Sequence, residues 1–188
     1  AALDLDTHNP WRHSSFNGWS NGKRFGVECD HAKRTSKQGR LPMPDWLQPV
    51  MDKMRSVGHP VLQNFRPNEC NAIDYRRERG HELNPHIDDR QLSGDVICNL
   101  SLCGDCVMTY IKEKGGIHRV EVRLPRRSLQ VQAGGVRYDY QHSISNGNLL
   151  SDRRVSITFR ECPLRLQPLH SGAHYLPMAK RFKWGRKL

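Results

Sequence analysis

Long apolar runs are missing from this 188-residue chain. No stretch approaches the roughly 20 apolar residues that a membrane-spanning helix requires, so no transmembrane segment is expected. The start, Ala1-Ala-Leu-Asp-Leu-Asp6, lacks the basic residues and apolar centre of a secretory signal, and none is expected there. Cysteine is sparse for the length. The six residues Cys29, Cys70, Cys98, Cys103, Cys106 and Cys162 are too few for a small disulfide scaffold. Cys103-Gly-Asp-Cys106 has the gap of a zinc knuckle or redox pair, but no second pair at matching spacing exists. The reading is reduced thiols beside a strand turn in a reducing compartment, nuclear or cytosolic. Acidic residues are also short, 19 against 30 Lys and Arg, which leaves a net charge of +11. A field of that sign attracts polyanions, nucleic acid first.

What is present suffices for one domain with its own core, expected as a monomer. Residues 1–41 are polar and poorly periodic, with aromatics at Trp11, Phe16 and Trp19, and are expected as an arm or a substrate lid. Over residues 43–56, Trp46, Val50 and Met54 fall at helical spacing, with Leu47 and Met51 beside them. Pro44 suits a first turn, and Pro49 shortens or kinks the pattern. From residue 60 the pattern turns to short strands, expected at 61–65, 71–75, 95–102, 106–111, 117–124, 128–132, 136–140 and 154–160. The fold class is mainly β with flanking helices, a sandwich or barrel over 42–165. Residues 166–188 form a basic tail with interleaved aromatics.

Within Asn84-Pro-His-Ile-Asp-Asp89, an extended strand would point His86 and Asp88 to one face. One imidazole and one carboxylate need a further nitrogen to complete the set of two His and one carboxylate that non-haem iron oxygenases use. Among ten His, His142 ends the strand-like run Val136-Arg-Tyr-Asp-Tyr-Gln-His142 far from His86 in sequence. His81, His118 and His170 read as surface residues. In Arg153-Arg-Val-Ser-Ile-Thr-Phe-Arg160, a strand would line Arg154, Ser156, Thr158 and Arg160 on one face and Val155, Ile157 and Phe159 on the other. Two guanidiniums on a wet face fit a dicarboxylate. A basic edge strand is the other reading.

The order His-x-Asp, distal His, then Arg with five residues before a second Arg resembles the AlkB family of Fe(II)/2-oxoglutarate dioxygenases. The flanking text resembles the fourth AlkB homologue subgroup over roughly residues 41–162. That text is Tyr75-Arg-Arg-Glu-Arg-Gly80, Leu124-Pro-Arg-Arg-Ser-Leu129, Arg137-Tyr-x-Tyr-x-His142 and Arg153 to Glu161. The resemblance implies a double-stranded β-helix, a jelly roll, with His86, Asp88 and His142 on iron. It implies that Arg154 takes the distal carboxylate of 2-oxoglutarate, with Tyr75 and Ser156, and that Arg160 lies near the proximal end. Where the family commonly has Asn, this chain has Ile73; Asn71 sits two positions back, and Asn99 or another donor would stand in.

The implied activity is oxidative N-demethylation. The first substrate is a methylated nucleobase, preferably N6-methyladenine in unpaired or bubbled DNA, because a base must leave the stack to reach a buried metal. Trp11, Phe16, Trp19, Phe182 and Trp184 are stacking candidates, and Lys180, Arg181, Lys183, Arg186 and Lys187 phosphate contacts. The alternative is methyl-lysine on a protein of the actin type. A nuclear location, with cytoplasm second, goes with the DNA reading.

Overall fold

The computed structural model describes residues 2–7, 9–112 and 118–164. Helix α1 (Ala2–Thr7) precedes β1 (Arg12–Ser14), the 13-residue β2 (Gly18–Asp30) and β3 (Thr35–Gln38). A 3₁₀ turn at Asp45–Leu47 leads into α2 (Gln48–Ser56), followed by α3 (Pro60–Gln63), β4 (Glu69–Arg76) and β5 (Glu82–His86). The remainder is β6 (Val96–Cys103), β7 (Cys106–Lys112), β8 (Arg119–Leu124), β9 (Leu129–Ala133), α4 (Gly135–Asp139), β10 (Tyr140–Ile144) and β11 (Arg153–Arg160).

The strands pair antiparallel in the order β8-β7-β10-β5-β2-β4-β11-β6-β9, with β1 and β3 added alongside β2. This path bends back on itself. Gln130 on β9 donates to the Tyr110 hydroxyl on β7 at 2.7 Å, joining strands near opposite ends of the order. The result is the jelly roll expected, a nearly closed sheet with helices on one side.

Two apolar clusters flank the larger sheet. Outside it, Leu47, Met51, Met54, Leu62 and Phe65 bury Phe25, Cys70, Cys98, Val155, Ile157 and Phe159. Each fully buried side chain of this size contributes about 1.5–3 kcal/mol, so this layer fixes which face of β11 turns inward. Inside the roll, Tyr75, Met108, Tyr110, Leu124, Ile144 and Leu149 form the second cluster. The alternation expected of β11 follows. Val155, Ile157 and Phe159 meet the helices, while Arg154, Ser156, Thr158 and Arg160 line the interior cleft.

Several expectations need correction. Residues 1–41 are not an appendage. β2 pairs with β5 at Gly18–Trp19, with β4 over Asn21–Gly26 and with β3 over Val27–Asp30, so it joins the two halves of the roll. Its polar sequence hides this, because Ser20 and Lys23 are buried beside Phe25 and Val27. Gly26 makes the handover between partners. It sits at φ +79°, and a Cβ there would lie 2.1 Å from the Asn68 carbonyl. The strand expected at 61–65 is replaced by α3 up to Gln63, since Pro60 occupies the first turn and the His59 ring accepts from the Val61 amide at 3.3 Å. Of the strand expected at 136–140, residues 136–139 belong to α4, whose turn lets Arg137 reach inward, and Tyr140 opens β10. Over 43–56, α2 begins at Gln48, which leaves Pro49 harmless in its first turn.

Candidate metal centre

His86 is the last residue of β5, and His142 lies directly opposite it on β10. Their ring centroids are 4.3 Å apart. Asp88 lies beyond the end of β5 rather than within it, yet its carboxylate still turns back to the pair. His86 Nε2 and Asp88 Oδ1 are 3.5 Å apart, and one ligand atom from each of the three residues lies within 4.8 Å of the others. His86 Nδ1 is 2.7 Å from the Asn84 carbonyl. With a cation on Nε2, that carbonyl would accept the Nδ1 proton and fix the ring's orientation.

Electrostatics keep the triad ready. Burial would raise the Asp88 pKa, but the Arg160 charge and the His86 contact outweigh it and hold the carboxyl well below its usual range. Arg160 donates from Nε at 3.2 Å and Nη2 at 3.0 Å, both to Oδ2, so Oδ1 stays open. Burial lowers the His142 pKa to about 4, so the ring is neutral at pH 7. Two imidazoles and one carboxylate oxygen form a donor set suited to Fe(II).

Deeper in the same cleft, of about 650 Å³, Arg154 is 1% exposed. Its Nη1 donates to Ser156 Oγ at 2.8 Å, and its Nη2 to Asn99 Oδ1 at 3.0 Å and Ser101 Oγ at 3.2 Å. Its Nε has no partner, and no carboxylate pairs with it among the described residues. A buried guanidinium without a counter-ion is costly, and a dicarboxylate would relieve it. Tyr75 is buried beside it, its ring centroid 5.8 Å away; burial pushes the phenol up to about 12, so it remains a donor. Asn99 also donates to Thr158 Oγ1 at 2.8 Å and so holds Arg154 in place. Asn71 donates to Glu69 at 2.9 Å, while Ile73 lines the wall. These residues fit 2-oxoglutarate.

Arg137 is a functional residue that the sequence reading missed. It is 2% exposed and donates to the carbonyls of Asp88 (2.9 Å), Asp89 (2.6 Å), Gly94 (3.3 Å) and Ser93 (3.4 Å). It therefore pins the loop that carries Asp88. Its place in Arg137-Tyr-x-Tyr-x-His142 was visible, but bonds to main-chain carbonyls leave no periodic signal. Asp89 caps the same loop, accepting from the amides of Gln91 and Leu92 at 2.8 Å each. His81 corrects another expectation. It is 4% exposed, and its Nδ1 accepts from the Arg76 amide at 3.0 Å.

The expected aromatic platforms divide. Phe16 is exposed on the cleft wall and stacked on His31, with centroids 5.3 Å apart. Trp19 is exposed but packs on His13 at 5.4 Å and does not line the cleft. Trp11 is occupied, with Lys23 4.5 Å over its ring and its Nε1 donating to Asp6 at 2.8 Å. Lys180, Arg181, Phe182, Lys183, Trp184, Arg186 and Lys187 lie outside the described residues. Cys103 and Cys106 flank the β6–β7 turn as free thiols.

A family model described as the 2OG-Fe(II) oxygenase superfamily matches residues 7–160. The human alpha-ketoglutarate-dependent dioxygenase alkB homolog 4 is 28% identical over 87% of this chain and 63% of its own length. A Caenorhabditis elegans DNA N6-methyl adenine demethylase is 27% identical over 69% of this chain and 44% of its own length. The chain thus spans less than two thirds of the length of these relatives. Among solved structures, a Burkholderia pseudomallei oxidoreductase of the 2OG-Fe(II) oxygenase family superposes with a TM-score of 0.61 at 10% identity, covering 88% of this chain and 80% of that one. OsALKBH1 superposes at 0.51 and 16% identity, covering 82% and 81%. Both likenesses speak to the fold.

Proposed function

Because this chain belongs to the 2OG-Fe(II) oxygenase superfamily and is of the AlkB type within it, we propose that it is an oxidative N-demethylase acting on a methylated nucleobase. The observation that carries the reading is the pairing of an open His86–Asp88–His142 set with a buried Arg154 that has no counter-ion among the described residues, both in one cleft. Fe(II) with 2-oxoglutarate and dioxygen would supply an oxidation in which one oxygen atom enters the succinate formed with loss of carbon dioxide and the other hydroxylates an N-methyl group, which is then lost as formaldehyde. In this reading His86, Asp88 and His142 hold the metal. Arg154 and Tyr75 fix the distal carboxylate, with the Ser156 hydroxyl beside them. Arg160 keeps Asp88 ionised and directs one of its oxygens inward, and the apolar wall from Ile73, Met108 and Ile144 excludes water.

A nucleobase is favoured over a lysine side chain by the rim. Arg12, Arg24 and Arg40 are exposed around the cleft mouth with Phe16, which offers phosphate contacts and a stacking face. The C. elegans relative supports N6-methyladenine as the first base to test, and unpaired DNA is the preferred form. Nuclear residence and the basic tail at 179–188 belong to the same proposal. The test is mass spectrometry of oligonucleotides carrying N6-methyladenine, single-stranded and bubbled, beside methyl-lysine peptides, with Fe(II) and 2-oxoglutarate. Demethylated adenine that disappears in His86→Ala supports the reading. Turnover of the peptide alone would replace it with protein demethylation.

A further inference from the structure

We propose that Cys29, Glu69 and Cys162 form a second cation site, taking a thiolate-seeking divalent ion of the zinc class, across Arg160 from the His86–Asp88–His142 set. The two sulfurs and a carboxylate oxygen lie within 4.8 Å of one another. They come from β2, from the first residue of β4 and from the segment just after β11, so the fold and not local sequence assembles them. In zinc sites with Zn–S near 2.3 Å, two tetrahedral sulfurs sit roughly 3.8 Å apart, so closure needs movements of about 1 Å or less.

An independent sign is the state of Glu69. It is 8% exposed, and Asn71 and Arg160 attend its Oε1 at 2.9 Å and 3.7 Å. Its Oε2 is buried with no hydrogen-bond partner among the described residues. A buried carboxylate oxygen left bare is destabilising, and a coordinated cation removes that penalty. Charge also matches. A divalent ion offsets two of the three negative charges of two thiolates and one carboxylate, and the Arg160 guanidinium, which Glu69 shares with Asp88, lies beside the third. Cys29 Sγ donates to the Leu92 carbonyl at 3.8 Å and Cys162 Sγ to the Pro163 carbonyl at 3.9 Å, so neither sulfur is held in a disulfide. Binding releases one proton from each thiol to solvent and changes no oxidation state, with water completing the coordination. Softness separates the two centres: thiolates select zinc-class ions, whereas imidazole with one carboxylate suits Fe(II). A cation here ties together the ends of three strands and sits against the arginine that orients Asp88.

The test titrates reduced, full-chain protein with Cd(II) under anaerobic conditions and follows thiolate-to-metal absorption in the near ultraviolet. One equivalent should develop the band. Cys29→Ser and Cys162→Ser should abolish it, with affinity falling by more than about a hundredfold, beyond the range of outer-sphere partners. Cys103→Ser should leave it intact, and Glu69→Gln should keep a band but weaken binding about tenfold. Zn(II) should raise the melting temperature of His86→Ala protein and not of the His86→Ala, Cys162→Ser double variant. Circular dichroism verifies folding of each variant. A folded parent without the band overturns the proposal, as does a band that survives Cys29→Ser or is lost in Cys103→Ser.

Discussion

Arg154 and Arg160 stand six residues apart on one face of one strand, and their surroundings are opposite. Arg160 is bound to the Asp88 carboxylate at 3.0 Å, with the Glu69 carboxylate 3.7 Å away. Arg154, more deeply buried, meets only an amide oxygen and two hydroxyls within hydrogen-bond distance. The first is an ion network, although its Nη1 has no hydrogen-bond partner among the described residues. The second is a positive charge waiting for a carboxylate from outside. Identical side chains thus differ in whether the protein supplies their carboxylate.

The largest break in that contrast should come from Arg160→Met. It leaves Asp88 and Glu69 buried without their cation, and urea unfolding should show a loss of about 3–5 kcal/mol. Arg154→Met should do the reverse for the apo-protein, with stability unchanged or raised, while 2-oxoglutarate binding by calorimetry falls by about 2–3 kcal/mol. A matching loss of stability would mean that Arg154 is structural after all.

The Arg160 end also has a pH signature. His142 has its pKa lowered from 6.5 to about 4, so the unfolded chain takes up the proton first. This residue therefore stabilises the fold above pH 6.5 and loses that contribution as pH falls from 6.5 towards 4. Asp88, lowered as well, adds its loss only at still lower pH, below the ordinary carboxylate range. His142→Gln should flatten stability in the upper window, and a curve unchanged from the parent would refute the buried neutral ring. The smallest effect is expected of Asn99→Ala, which frees Arg154 on one side. It should weaken 2-oxoglutarate binding by about 1 kcal/mol while barely altering iron binding.

What the sequence disclosed follows from the range of its signals. β11 was readable because hydroxyls and guanidiniums alternate with Val155, Ile157 and Phe159, and a period of two needs no tertiary knowledge. The same period brought His86 and Asp88 together on paper, although Asp88 in fact leaves the strand and is carried back by a loop that Arg137 pins. β2 was unreadable because its buried positions include the polar Ser20 and Lys23. Lys23 reaches the Leu5 carbonyl. The helices at 60–63 and 135–139 were lost for a simpler reason: at four and five residues they are too short for apolar periodicity to tell them from strands.

β2 also sets the limits within which the protein can be trimmed. It is the seam between the half of the roll that carries His86 and the half that carries Arg154. A version beginning at the helix near residue 48 would leave the borders of β4 and β5 unzipped, each offering a row of amides and carbonyls to any passing chain. Such a fragment should come out of expression as aggregate, however intact its metal and cosubstrate residues look on paper.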